Sequence, residues 1–319
     1  MKPTSSEIKL GISACLLGEK VRYDGGHKRD AYITDILGAF VTFVPVCPEV
    51  ELGLGTPRET LRLVRLADEV HLVAQKSGAD HTKNMNAYAR RKVEELARLD
   101  LSGYILKKDS PSCGMERVRV YDENDVPAKT GRGLFATVLL EPMPHLPVEE
   151  EGRLQDPRLR ENFVERVFAC RRLRDFFTSP WKMGDLVCFH TAEKFLLLAH
   201  DAAAYEKLGR LVAGAKSTPR KELAAQYEEI YMTALNKIAT TRRQANVLQH
   251  LTGFLKDFLG PEDKKELAGV IEDYRRGLVP LIVPLTLIRH YVRVHHVAYL
   301  EGQYYLEPHP KELMLRNHV

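Results

Sequence analysis

The sequence predicts an α/β protein, with an N-terminal parallel-sheet α/β domain followed by an all-α C-terminal domain. Two observations predict the first part. Short segments rich in β-branched and aromatic residues, closed by Pro, Gly or Ser, recur through the N-terminal third, and helical patterns lie between them. A third observation predicts the rest: beyond residue 152 the apolar residues recur at helical spacing.

In chain order, the first strand is Ile8-Lys9-Leu10-Gly11-Ile12-Ser13, running into Ala14-Cys15. The second is Phe40-Val41-Thr42-Phe43-Val44-Pro45-Val46, running into Cys47. A helix follows over Thr82 to Leu99, with Arg90, Arg91, Lys92, Glu94 and Glu95 on a charged face. The third strand, Gly103-Tyr104-Ile105-Leu106-Lys107-Lys108, leads through Asp109-Ser110-Pro111-Ser112 to Cys113. Strands alternating with helices imply a parallel sheet. The segment from Glu141 to Gly152 holds three prolines and three consecutive glutamates and breaks every periodic pattern, so it reads as the domain boundary. The domains are accordingly 1–145 and 152–319. In the second, Phe163, Val164, Val167, Phe168, Leu173 and Phe176 mark one helix. Phe195 to Leu198, Leu223 to Ile238 and Val247 to Phe258 mark others, and Pro280 and Pro284 interrupt a later apolar segment.

A chain of 319 residues is long enough for about two domains at roughly 150 residues each. At 44% hydrophobic and 28% charged it is an ordinary globular composition, which excludes a disordered or fibrous chain. No run of about 20 apolar residues occurs. The opening Met-Lys-Pro-Thr-Ser-Ser-Glu lacks the apolar stretch of a signal peptide, so the cytoplasm is the expected location. There, five cysteines read as ligands, catalysts or core residues before disulfides. The net charge of +4 is uneven: 21 basic against 22 acidic residues through Glu150, and 26 against 21 after it, which points the second half toward an acidic partner.

Cys15, Cys47 and Cys113 each fall beyond the carboxyl end of a predicted strand, where ligand sites of parallel sheets gather. Three thiolates cannot complete a closed four-thiolate shell, so one position of a metal centre stays open. Free cysteine is often simply a buried small hydrophobe. The polar, turn-forming surroundings Val46-Cys47-Pro48-Glu49 and Ser110-Pro111-Ser112-Cys113-Gly114 favour ligation for the three together. Spacing alone leaves zinc and an iron–sulfur cubane both open.

The other polar residues carry structural readings beside functional ones. Glu49 sits where it could cap a helix beginning near Leu52. Ser110 and Ser112 flank Pro111, where turn roles are the default. Arg58, after Thr56-Pro57, and Arg132, between two glycines, stand where backbone can approach an anion. Asp24-Gly25-Gly26-His27 reads as a turn. In the helical half, His190, His200, His250, His290, His295 and His296 lack a compact ligand spacing. Cys170 and Cys188 read as core thiols. Arg171, Arg172 and Arg174, with the pairs Arg220-Lys221, Arg242-Arg243 and Arg275-Arg276, read as solvated faces; shared with aromatics such as Tyr205 or Tyr231 they would make an RNA-docking surface.

Ser13-Ala14-Cys15-Leu16-Leu17-Gly18, Tyr23-Asp24-Gly25-Gly26, Val46-Cys47-Pro48-Glu49 with Thr56-Pro57-Arg58, Lys108 to Gly114, and Thr130-Gly131-Arg132-Gly133-Leu134-Phe135-Ala136 together resemble the thiouracil desulfidase (TudS) family over about the first 145 residues. The helical half resembles the YbgA-like domain through Leu186-Val187-Cys188-Phe189-His190, Asn246 to His250, Tyr274 to Pro284 and Gln303 to Pro308. The whole chain is similar to the fused, RudS-type desulfidases. That resemblance implies a [4Fe–4S] cluster on Cys15, Cys47 and Cys113, a catalytic pair Glu49 and Ser110, and replacement of sulfur by oxygen in 4-thiouridine of tRNA or in 4-thiouracil. Glu51, a second carboxylate two residues after Glu49, departs from the expected pattern. The implied chemistry is coherent: an iron without a cysteine ligand binds a soft thiocarbonyl sulfur, Glu49 activates water, Ser110 relays a proton, and no net redox change is needed. Two other readings stand beside it. One is a three-cysteine zinc hydrolase or deaminase with Glu49 as base, though the deaminase H-x-E and P-C-x-x-C signature is missing. The other is a non-enzymatic iron–sulfur RNA-binding regulator.

Overall fold

In the computed structural model, which describes residues 7–318, the chain divides into two compact units, one ending at Asp156 and the other beginning at Pro157. The first carries, in chain order, β1 (Lys9–Ser13), β2 (Thr42–Val46), the one-turn helix α1 (Pro48–Glu51), β3 (Leu61–Leu66), β4 (Glu69–Ala74), α2 (Thr82–Ala97), β5 (Gly103–Leu106), β6 (Val118–Tyr121), β7 (Pro127–Gly131), α3 (Leu134–Leu140) and β8 (Val148–Glu150). This is the expected α/β architecture, and the three anticipated strands are β1, β2 and β5.

They form a parallel sheet in the order β2-β1-β5-β8. The register sets Ser13 beside Val46 and Ile12 beside Ile105, so the carboxyl ends of three strands finish side by side. Neighbouring strands lie about 4.8 Å apart, which brings the loops that follow them to one place. Every residue of β5 is buried, as expected of a central parallel strand covered on both faces. Gly11 is required where it stands. A Cβ there would lie 2.1 Å from the ring of Tyr104, which crosses β1 on its way to Phe135.

A second sheet, β4-β3-β6-β7, is additional to the sequence reading. Its signal was present in the Leu-Arg-Leu-Val-Arg-Leu alternation of β3, paired antiparallel with β4 around a tight turn at Ala67, whose φ is 52°. The Glu141–Gly152 segment also differs from the linker expected. Val148–Glu150 forms the edge strand β8, paired with β5, and the three glutamates are held by specific partners. Glu149 accepts from Arg153 Nε at 2.6 Å, Glu150 accepts from the Met115 backbone at 2.6 Å, and Glu151 takes Lys107 Nζ at 2.5 Å. A run of like charge reads as solvated only until each member finds its own donor.

The second unit is all-helical: α4 (Pro157–Thr178), α5 (Met183–Ala192), α6 (Lys194–His200), α7 (Ala202–Ala213), α8 (Arg220–Leu235), α9 (Thr241–Leu255), α10 (Pro261–Arg275), α11 (Ile282–Val294) and α12 (Ala298–Glu301). Pro284 falls in the first turn of α11, where the missing N–H has no intrahelical partner to lose. An aromatic cluster fills the interior, with Phe176 stacked on Phe189 at 4.6 Å and Tyr227 and Tyr231 fully buried. Cys170 is a core thiol, as its helical position implied. Cys188 is not. It is exposed beside Val187, because Leu186 and Phe189 take the buried face of α5 and the two residues between them rotate outward. Among the described residues no helix is long and apolar enough to cross a membrane.

Candidate active site

Cys15, Cys47, Cys113, Glu49 and Ser110 line one cavity of about 390 Å³ at the carboxyl ends of β1, β2 and β5. The local structure explains each placement. Cys15 lies in a single 3-10 turn directly after β1, closed by Gly18 in the left-handed region at φ 98°. Cys47 ends β2 and caps α1, whose first residue, Pro48, suits a position needing no N–H donor. Cys113 ends the loop after β5. There Ser110 Oγ accepts from the Cys113 and Ser112 backbones at 3.1 and 3.3 Å, the local turn chemistry that flanking a proline predicts.

That loop is clamped from outside. Gly133 precedes α3, and the first turn of the helix donates to it: Leu134 N reaches the Pro111 carbonyl at 3.2 Å and Ala136 N the Ser112 carbonyl at 3.2 Å. A Cβ on Gly133 would lie 2.4 Å from the Ser112 carbonyl oxygen, so only glycine permits this approach. Arg132 serves the same clamp, donating from Nε to the Met115 carbonyl at 2.9 Å. It does not line the cavity.

Glu49 is fixed through both oxygens. Arg58 Nε and Nη2 donate to Oε2 at 2.9 and 2.5 Å, and the buried Ser112 hydroxyl donates to Oε1 at 2.8 Å. Arg58 is itself held by the carbonyls of Val21 and Gly55, each at 2.9 Å. Ser112 was ambiguous in the sequence. Its position in a Ser-Pro-Ser turn could not show that it points away from the turn, toward a carboxylate 63 residues earlier. Glu51 is turned elsewhere, accepting from the Cys47 backbone at 3.2 Å and pairing with Lys92 at 2.9 Å, so the second carboxylate of the Glu-Val-Glu run braces α1 against α2.

The five cysteines are free thiols. Burial pushes Cys15 up to about 11, opposed by Lys107 and reinforced by Cys47. Burial likewise raises Cys47 and, further, Cys113, which Ser13 lowers by hydrogen bonding and which Glu49, Cys15 and Cys47 raise. All three thiols line the one cavity. They border it without converging on a single point: among the described residues no three His, Cys, Asp or Glu side chains are grouped to hold one metal ion. Soft sulfur donors around a space, in a fold that disfavours their anionic form until a cation enters, fit an iron–sulfur group. Ser13 is a further contributor that sequence reasoning passed over. It is buried, touches Cys113 and accepts from the Lys107 backbone at 3.0 Å.

The remaining candidates lie apart. His27 accepts from the Arg29 backbone at 3.2 Å and does not line the cavity. In the helical unit Arg171 and Arg172 are spent inside the fold, whereas Arg220, Lys221, Arg242, Arg243, Arg275 and Arg276 are exposed, the solvated faces their pairing suggested. Arg172 clamps Glu193 at 2.9 Å, Arg171 pairs with Asp175 at 2.7 Å, Arg220 lies 4.7 Å over the Trp181 ring and Arg243 donates to the His200 carbonyl at 2.9 Å. Tyr231 is buried and Tyr205 stacks on His190 at 5.1 Å, so the anticipated pairing of those cations with those tyrosines is not the surface present.

Residues 10–151 match the family model described as 2-thiouracil desulfurase, and residues 194–310 match DUF1722, a family of unknown function. The uncharacterized protein YbgA of Escherichia coli (strain K12) is 32% identical over 161 residues, spanning 50% of this chain and 95% of that protein. The uncharacterized protein YbbK of Bacillus subtilis (strain 168) is 32% identical over 108 residues, 32% of this chain and 71% of that protein. A solved structure, of the [4Fe-4S]-dependent thiouracil desulfidase TudS, is 33% identical, covers 47% of this chain and 95% of its own, and has a TM-score of 0.39.

Proposed function

Given that the chain belongs to the 2-thiouracil desulfurase family through residues 10–151 and continues into a YbgA-like helical domain, we propose that it replaces sulfur by oxygen in 4-thiouridine of tRNA, and in free 4-thiouracil, at the cavity bordered by its three thiols. The observation that carries this reading is the meeting of Cys15, Cys47, Cys113, Glu49 and Ser110 around a single cavity. Cys15, Cys47 and Cys113 would hold a [4Fe–4S] cluster, the group named for the similar desulfidase, and a cluster with three cysteine ligands supplies a Lewis-acidic iron and an acceptor for sulfur.

The chain's own residues do the rest. Arg58 occupies both lone pairs of Glu49 Oε2, whereas Oε1 accepts from Ser112 and retains one, so the carboxylate takes a proton from a water in the cavity at Oε1 without rotating. Ser110 Oγ already accepts two backbone N–H groups, which leaves its own hydroxyl hydrogen to donate to a heteroatom of the substrate, the sulfur or the adjacent ring nitrogen, as the carbon–sulfur bond breaks. No change of redox state is needed. Arg22, Lys28 and Lys108, at the cavity wall with Asp109, give it a cationic border suited to a substrate that carries phosphate.

The helical unit supports an RNA substrate through residues the sequence reading did not select. Phe254 on α9 and Tyr299 on α12 stack at 4.8 Å, both more than a third exposed, and Lys194 lies within 6 Å of both ring centres. Exposed rings with a cation beside them make a platform for an unstacked base. Anaerobic reconstitution with iron and sulfide, followed by nucleoside analysis of treated tRNA and sulfide release from 4-thiouracil, tests the proposal. Protein that binds iron but leaves both substrates untouched refutes it.

A further inference from the structure

A thiopyrimidine entering the cavity brings a flat ring as well as a sulfur, and one side chain of the cavity matches the ring. Among the described residues that line it, Tyr23 is the one aromatic; the apolar wall is otherwise aliphatic, including Val21, Leu61 and Pro111. Tyr23 is 41% exposed, whereas Tyr88 and Tyr104 of the same unit are buried, so its ring is accessible to a ligand.

The ring is carried on a turn that several contacts hold rigid. Arg22 to Gly25 form a β-turn closed by Gly25 N, which donates to the Arg22 carbonyl at 3.0 Å, with Gly25 in the left-handed region at φ 75°. Asp24 Oδ1 accepts from the Gly26 backbone at 3.0 Å and lies 3.5 Å from Arg22 Nε. The turn is also strapped to the support of Glu49. The Arg58 backbone N–H donates to the Tyr23 carbonyl at 2.9 Å, its Nη1 to the Val21 carbonyl at 2.9 Å, and its Nε to Glu49 at 2.9 Å. One arginine therefore fixes both the turn that carries the ring and the carboxylate proposed as base. The Arg22 guanidinium carbon lies 5.3 Å from the centre of the Tyr23 ring, so a cation backs one face and the exposed remainder is left for stacking.

We propose that the pyrimidine ring of the substrate stacks on Tyr23, so that this residue holds the base while the groups around the three thiols act on its sulfur. An aromatic face binds a base through its π-surface without reading its edges. Tyr23 thus supplies affinity for a ring, which an aliphatic wall of the same size does not. The inference rests on the desulfurase reading for the identity of the ligand.

Two measurements on the reconstituted full-length protein test it: calorimetric titration with uracil, the ring left once sulfur is replaced by oxygen, and steady-state sulfide release from 4-thiouracil. Tyr23→Ala should weaken uracil and raise KM for 4-thiouracil, each by about tenfold or more, with kcat held within about threefold. Tyr23→Phe keeps the face and should stay near wild type, whereas Tyr23→Leu keeps bulk without the π-surface and should behave as Tyr23→Ala does. The residue is exposed, so the variants should fold, and iron content with thermal unfolding checks this. Unchanged uracil affinity and KM in folded Tyr23→Ala overturn the proposal, as does a wild type that fails to bind uracil saturably. So does full retention in Tyr23→Leu, which would assign the effect to bulk alone. Uracil binding that falls in Tyr23→Ala, in a protein whose wild type releases no sulfide, upholds the stacking and refutes the desulfurase reading instead.

Discussion

At the residue scale the proposed catalysis depends on how one carboxylate is aimed. Glu49 is held by Arg58 on one oxygen and Ser112 on the other, and the two supports should separate kinetically. Glu49→Gln removes the proposed base while keeping the shape, and a loss of about 10² to 10⁴ in kcat is expected with iron content unchanged. Ser112→Ala removes one hydrogen bond to a charged group and should lower kcat/KM by about 10 to 100-fold, again with the cluster retained. Comparable activity in either variant, measured as sulfide release from 4-thiouracil, argues that another group activates water. Glu49 itself was legible in the sequence as the residue two positions after a candidate ligand. Ser112 was legible only as a turn residue, since its partner lies on a different loop.

At the element scale the cysteine loop is a product of packing between loop and helix. Gly133 lets α3 donate its first-turn N–H groups to the carbonyls of Pro111 and Ser112. Gly133→Ala puts a methyl against the Ser112 carbonyl and should destabilise the first unit by about 1–3 kcal/mol. It should also lower iron bound per chain, measured after reconstitution; full iron loading with unchanged stability would contradict the clamp. The helical unit carries a different element-scale signature. Burial lowers His190 from 6.5 to about 4, and burial together with Arg316 lowers His309 to about 4. Between those values the unfolded chain binds more protons than the folded one, so stability falls as pH drops from about 6.5 to about 4. Thermal unfolding across that window should show the loss, reduced in His190→Asn. An identical pH slope in the variant would assign the acid sensitivity to other groups.

At the scale of the whole molecule, two units with different chemistry act on one proposed substrate, and variants should divide its activities. Phe254→Ala and Lys194→Glu remove the exposed ring stack and its cation, and each is expected to weaken tRNA by about 1–3 kcal/mol in kcat/KM. Release of sulfide from free 4-thiouracil should be unchanged. If both activities fall together, or neither changes, the helical unit does not present RNA through this face. The +4 net charge and the basic second half pointed toward an acidic partner but not to the residues that meet it, because a charge count does not separate arginines paired inside the fold, such as Arg171 and Arg172, from exposed ones such as Arg242 and Arg276.

The sequence by itself determined the α/β then all-α order, the three strands and the cysteines at their ends, because strand periodicity, helical spacing and turn residues are local properties. It also determined that a metal centre built on three thiols leaves one position open. Tertiary structure alone decided what the polar residues do. Parallel register brought Cys15, Cys47 and Cys113 to one cavity, and packing turned Ser112 onto Glu49, Glu51 onto Lys92 and Arg132 onto its own loop. It folded two of the three glutamates read as the domain boundary, Glu149 and Glu150, into an edge strand, and rotated Cys188 out of the core. Each of these depends on a partner distant in sequence or on a helix's rotation about its axis, and neither is written in the neighbouring residues.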